Sequence, residues 1–205
     1  MSLRNDTTAL KPSPRDCFFT PAHAVHSLLA YHSEVPLFGP FSDELWEVAA
    51  GAGHIAKILK ATGFRVFASD SKPALKSLCV VSQHDFLQSS GLRGGRYSIV
   101  TNPPYGKQSH LILAFMVKGF ELMDQGACRT MALLLPFEFD AAHSRNALVC
   151  EHVYFVAKVT CAKRIRWVNL RQAKASPMGS HAWFIWSVDA DVKRRAARHG
   201  NMVVR

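Results

Sequence analysis

Apolar runs and amphipathic stretches alternate along the 205-residue chain, and the period of each marks its element. Thr20 reads as an N-cap and Pro21 as the first residue of a helix to Tyr31, with Val25, Leu28 and Leu29 turned inward. Pro36 to Ser42 is a loop. The apolar stretch Leu45 to Ala50 is a strand that runs into a Gly51-Ala52-Gly53 turn, after which Ile55, Ile58 and Leu59 recur at helical spacing. Arg65 to Asp70 is the next strand. Weaker patterns predict a helix over Pro73 to Leu78 and a short strand over Val80 to Gln83. Tyr97 to Thr101 is a short buried strand. Ser109 to Met123 reads as a helix with Leu111, Ala114, Phe115 and Phe120 on its apolar face, and Thr130 to Leu135 as a strand stopped by Pro136. Ala141 to His152 reads as helical, and Val153 to Val159 and Ala182 to Val188 as late strands. This alternation predicts an α/β fold, a doubly wound and mostly parallel sheet with helices on both faces. No repeat or linker interrupts it. One domain over 1–205 is expected, with a loose N-terminus at 1–16 and a basic tail at 192–205.

Candidate chemistry concentrates where strands end. Asn102-Pro103-Pro104-Tyr105 follows the Tyr97 to Thr101 strand. Each proline fixes its own backbone torsion and lacks an N–H, so the strand ends in a rigid elbow. The carboxyl ends of strands are where open α/β sheets hold ligands. The elbow offers an amide side chain, the Pro103 carbonyl and an aromatic ring. That set suits a planar molecule with an exocyclic amino group: two oxygens accept its N–H bonds while the ring covers its face. Upstream, Gly51 and Gly53 permit close approach of a ligand to the backbone. Asp70 ends the following strand, roughly 20 residues on, where a ribose would offer its hydroxyls. The third glycine of a dinucleotide fingerprint is replaced by Ala56, which weakens a dinucleotide reading although alanine is sometimes allowed there.

These motifs, in this order, resemble those of the S-adenosylmethionine-dependent amino-methyltransferases, in particular the N6-adenine DNA methyltransferases and their short phage and prophage forms. The resemblance runs from about Asp16 to Trp186. It implies a Rossmann-like methyltransferase sheet and S-adenosyl-L-methionine as cofactor. It places Glu47, Ala49, Gly51 and Gly53 in the glycine-rich cofactor motif, Asp70 on the ribose, and Asp85 and Phe86 at the cofactor adenine. Phe19, Thr20 and Pro21 would close over the methionine end. Asn102, Pro103, Pro104 and Tyr105 would form the catalytic motif, with Asn102 also reaching the cofactor. Two departures stand out. Val48 occupies a position where many relatives carry proline, and 205 residues leave little room for the target-recognition domain of larger relatives. The same tetrapeptide serves enzymes that methylate a protein glutamine amide or a guanine amino group in ribosomal RNA. A domain that binds cofactor or DNA without turnover is a further alternative, of another class.

Charge narrows the choice of substrate. The net charge of +10 favours polyanions, so DNA is the expected partner, with RNA second. The excess lies late in the chain. Arg164-Ile165-Arg166-Trp167 interleaves cations with an aromatic, which suits phosphate and base together. Arg164, Arg166, Lys174 and His181 are the candidate nucleic-acid contacts, whereas Trp183 and Trp186 are expected to pack in the core. For the final dozen residues a solvated tail and a contact surface stay equally open. A hydrophobic content of 48% describes a globular chain. The five cysteines are scattered without a disulfide or metal spacing, and the ten histidines lack i, i+4 pairing, so no metal is expected. No apolar run approaches the ~20 residues of a membrane span and the N-terminus carries no signal-peptide pattern, so the expected location is a reducing cytoplasm.

Overall fold

The computed structural model describes residues 19–39, 44–92, 96–161, 163–167, 179–199 and 203–204. In chain order the elements are α1 (Ala22–Glu34), β1 (Glu44–Glu47), α2 (His54–Ala61), β2 (Arg65–Asp70), β3 (Ser82–Gln83), β4 (Tyr97–Thr101), α3 (His110–Asp124), β5 (Cys128–Pro136), β6 (Phe155–Cys161), β7 (His181–Ser187), α4 (Ala190–His199) and β8 (Val203–Val204). The sheet order is β3-β2-β1-β4-β5-β7-β6-β8. β1 pairs in parallel with both β2 and β4, so the direction of winding reverses between β1 and β4. β2–β3, β4–β5 and β6–β8 are also parallel, while β7 runs antiparallel between β5 and β6. The sheet is doubly wound and mostly parallel, as the alternation predicted.

Burial on both faces explains why β4 and β7 read as continuous runs and not as alternating strands: every residue of each is buried. Leu45, Val66, Val100, Leu134, Trp183 and Ile185 face one core with α1, α2 and α4. Trp46, Ile99, Met131, Leu133, Phe184 and Trp186 face the other with α3. Trp183 and Trp186 are therefore core residues, and the Trp183 indole N–H pins α1 through the Ala24 carbonyl at 2.7 Å. Gly119 lets α3 lie close on β5, because a Cβ there would collide with the Met131 sulfur.

Several elements differ from expectation, each for a local reason. α1 begins at Ala22 with Pro21 as its N-cap, which leaves the Thr20 hydroxyl free for another partner. Residues 73–78 form no helix. The N–H groups of Ala74 and Leu78 donate instead to the Gly51 and Ala52 carbonyls, at 3.2 and 2.8 Å, and so tie the segment to the glycine turn. Only a 3₁₀ turn, His143–Leu148, forms within 141–152. There Arg145 turns back, donating to the Phe139 carbonyl and lying over that ring at 4.5 Å. β6 and β7 are offset from their expected positions by two residues and one. The expected basic tail begins as helix α4, whose Val192 and Ala196 are buried. Asp189 caps it, accepting from the N–H groups of Asp191 and Val192 at 2.8 and 3.3 Å, and pairs with Arg129. Burial alone would raise the Asp189 carboxyl, but these donors and the guanidinium outweigh it and hold it below the usual carboxylate range.

Candidate active site

Parallel winding brings the ends of β1, β2 and β4 to one edge of the sheet, beside the switch point. β1 leads into the glycine turn. Gly51 and Gly53 both take left-handed backbone, at φ 53° and 79°, and Gly53 caps α2. A Cβ on Gly53 would stand 2.6 Å from the Cys79 sulfur, whereas nothing lies within 4 Å of one on Gly51. The space before Gly51 is where a ligand can reach backbone. Asp70 braces this turn: its carboxylate accepts from Gly51 N at 2.8 Å and Lys72 N at 2.7 Å. Each oxygen retains a lone pair for a hydroxyl donor.

The other expected cofactor residues fall in different settings. Ala49 is half-buried in the turn. Glu47 is turned into the protein at 2% exposure, its carboxyl accepting from Ala56 N at 2.7 Å. Burial pushes it up to about 8, the Asp70 charge adds to this, and the Ala56 N–H opposes it. It joins β1 to α2 and does not face the ligand space. Phe86 is also core, packed on Trp46 and Phe115 with ring centroids 5.5 and 5.1 Å away. Asp85 is exposed and caps the short turn that follows, accepting from Leu87 N.

The elbow holds the decisive geometry. The Asn102 amide N–H donates to the Thr20 hydroxyl at 3.3 Å, across 82 residues of sequence. Its amide oxygen is buried and has no partner. A buried acceptor left unmatched costs about 1–3 kcal/mol, so this oxygen is poised for a donor from outside the chain. Pro103 is buried and Tyr105 half-buried, with the Tyr105 ring near-parallel to the His181 ring at 24° and 6.5 Å. Past Gly106 (φ 67°), Gln108 and Ser109 adopt left-handed backbone at φ 53° and 65° before α3 begins. Two such non-glycine residues in a row are strained, and strain of this kind concentrates at functional sites.

The candidate nucleic-acid residues divide. Arg164 and Arg166 are exposed, but Trp167, which follows them in the chain, is buried. Its indole N–H donates to His181 Nε2 at 3.2 Å, and His181 Nδ1 meets the Gly179 carbonyl at 3.1 Å. That network places the ring proton on Nδ1. Burial lowers the affinity of His181 for a second proton, against the pull of the Gly179 carbonyl. Both nitrogens are engaged and the residue is 5% exposed, so His181 has no polar atom to offer a nucleic acid. It backs Tyr105 instead. Lys174 lies outside the described residues. Among the described residues no group of three His, Cys, Asp or Glu side chains is gathered for a metal, and no helix is long and apolar enough to cross a membrane.

No protein-family model matches the chain, and no curated protein matches its sequence. Solved structures match its fold. The methyltransferase subunit of a type I restriction-modification system from Streptococcus thermophilus superposes with a TM-score of 0.55 at 13% identity, over 90% of this chain and 47% of that one. A human methyltransferase 10 domain containing protein also gives 0.55, at 15% identity, over 84% and 86%. The fold is that of the Rossmann-like methyltransferases. The hMettl16 catalytic domain, in complex with a 3′UTR hairpin, gives 0.52 at 12% identity, over 92% and 77%. The chain thus spans about half the length of the first of these methyltransferases. Within this methyltransferase fold, two contacts had no sequence signal: Thr20 to Asn102, and Trp167 to His181.

Proposed function

We propose that the chain is an S-adenosyl-L-methionine-dependent methyltransferase that modifies an exocyclic amino nitrogen of a nucleobase, the N6 nitrogen of adenine in DNA. The observation that carries this is the buried, unpartnered oxygen of Asn102, held by Thr20 at a strand end beside Tyr105. The residues present fit the cofactor. The open backbone at Gly51, the free lone pairs of Asp70 and the exposed Asp85 suit its nucleoside end, and Phe19, Thr20 and Pro21 would hold its amino-acid end. When bound, it supplies a methyl group on a positively charged sulfur.

The chain's own residues prepare the acceptor. A base swung out of its stack, at a cost of a few kcal/mol, lies against the Tyr105 ring. Asn102 Oδ1 accepts one amino N–H and the Pro103 carbonyl is available for the other. Conjugation into the ring makes such a nitrogen a poor nucleophile. Two acceptors on one side favour its pyramidal form and free its lone pair on the other side. Positioning supplies most of the acceleration. The nitrogen's surplus proton leaves to water, so no buried base is needed. Support for nucleic acid comes from the net charge of +10 and from exposed Lys107, Arg164 and Arg166.

Asn102→Ala is expected to lower turnover at least 100-fold while S-adenosyl-L-methionine affinity, read by calorimetry, stays within about threefold. Wild-type turnover in that variant would refute the assignment.

A further inference from the structure

Next to the elbow is a cleft of about 480 Å³ that shares Phe19, Thr20 and Pro21 with the proposed seat of the cofactor's amino-acid end and extends beyond it to Lys57, Ile58, Leu78 and Arg166. Phe19, Ile58 and Leu78 form apolar walls, and Lys57 and Arg166 line it from separate elements. None of Gly51, Gly53, Asp70, Asp85 or Asn102 lines it, yet it meets the elbow through Thr20, which touches both. Among the described residues that line the cleft, none is acidic. Among the described residues neither cation is paired with a carboxylate. His54, which also faces the cleft, is kept neutral by burial and by the Lys57 charge. Two uncompensated positive charges therefore stand over an apolar floor.

Leu78 belongs to a segment with further exposed apolar residues. Leu78 is 47% exposed, and Val80 and Leu75 beyond it are fully solvent-facing at 83% and 105%. Lys72 and Lys76 are exposed in the same segment. A ledge that mixes cations with apolar side chains and opens to solvent suits a polymer of phosphates and flat bases.

Resting on the nucleic-acid assignment above, we propose that this cleft receives the nucleotide flanking the methylated one. Its phosphate lies between Lys57 and Arg166, and its sugar and base lie against Ile58 and Leu78. The strand then continues along the ledge at Leu75 and Val80. Both cations are exposed, so their removal leaves the cores intact.

Anisotropy of a labelled single-stranded DNA oligonucleotide, titrated at several salt concentrations, tests this with wild type and the double variant Lys57→Ala/Arg166→Ala. Calorimetry with S-adenosyl-L-methionine runs beside it. The double variant should bind the oligonucleotide at least about tenfold more weakly at low salt, with a log–log salt slope shallower by about 1 to 2. Its cofactor affinity should not change. An unchanged slope overturns the cleft proposal and leaves the elbow assignment standing. Weakened cofactor binding with an unchanged slope gives the two cations to the cofactor's carboxylate and likewise overturns it. A wild type that binds no oligonucleotide refutes the nucleic-acid assignment itself.

Discussion

Asn102 shows what one side chain can and cannot reveal in sequence. Its place in Asn-Pro-Pro-Tyr after an apolar strand marks the elbow, and the proline pair explains the rigidity. The direction of its amide is set elsewhere, by a hydroxyl 82 residues upstream. No spacing rule foresees such a contact, because it depends on where α1 starts. With Pro21 as the N-cap, Thr20 is released from capping and turned to Asn102. The methyl-for-hydroxyl change Thr20→Val removes the acceptor for the amide N–H, so the amide loses its fixed orientation. A bond of this kind contributes about 0.5–1.5 kcal/mol, which corresponds to a fall in kcat of roughly two- to tenfold. Thr20→Ser keeps the oxygen and should retain most of the activity. Equal losses in both variants would mean that Thr20 acts through packing and not through the amide. The setting of His181 differs from the sequence expectation for a related reason. It stands among basic and aromatic residues in sequence, but its two ring nitrogens are taken by Trp167 and Gly179.

Elements followed the sequence where burial was two-sided and failed where the backbone found partners outside its own segment. β4 and α3 are dictated by their apolar residues. Residues 73–78 have helical spacing, yet their N–H groups bond to the glycine turn, a contact invisible without the fold. The basic end of the chain is ambiguous because few and mostly small apolar residues interrupt its charges, and two of them, Val192 and Ala196, are what pack α4. Glu47 is the joint between β1 and α2, and its protonation couples that joint to pH. Unfolded, it releases its proton near pH 4.5, whereas folded it keeps it to about 8. Between these values the folded state binds more protons, so this residue's contribution to stability falls as pH rises. Glu47→Gln keeps a carbonyl oxygen for Ala56 N without the ionisation. Its stability relative to wild type, from urea unfolding, should climb steadily from about pH 5 to 8 and level off beyond. A difference that is flat with pH would show that Glu47 ionises normally in the folded protein.

At the scale of the whole molecule, the winding order does what no local motif can. Because β1, β2 and β4 are parallel neighbours, the glycine turn, Asp70 and the elbow all emerge at one edge of the sheet. The strand–helix alternation makes the doubly wound sheet legible in the sequence, and the motifs' resemblance to amino-methyltransferases, not the alternation, points to the methyltransferase fold. Partner chemistry is less legible, because charge is summed over the chain while recognition depends on where the cations stand. Lys57 carried no signal in sequence, being one lysine on an amphipathic helix, and it gained meaning only when the fold set it across a cleft from Arg166. Methyl transfer to a nucleobase amino nitrogen leaves a product that can be read directly. The most direct test is to incubate the protein with S-adenosyl-L-methionine and unmethylated DNA, and separately with RNA, and to read the digested nucleosides by mass spectrometry. N6-methyladenine in DNA, absent when Asn102→Ala replaces wild type, is the predicted result. No methylated base in either polymer, from protein that binds the cofactor, would contradict the account.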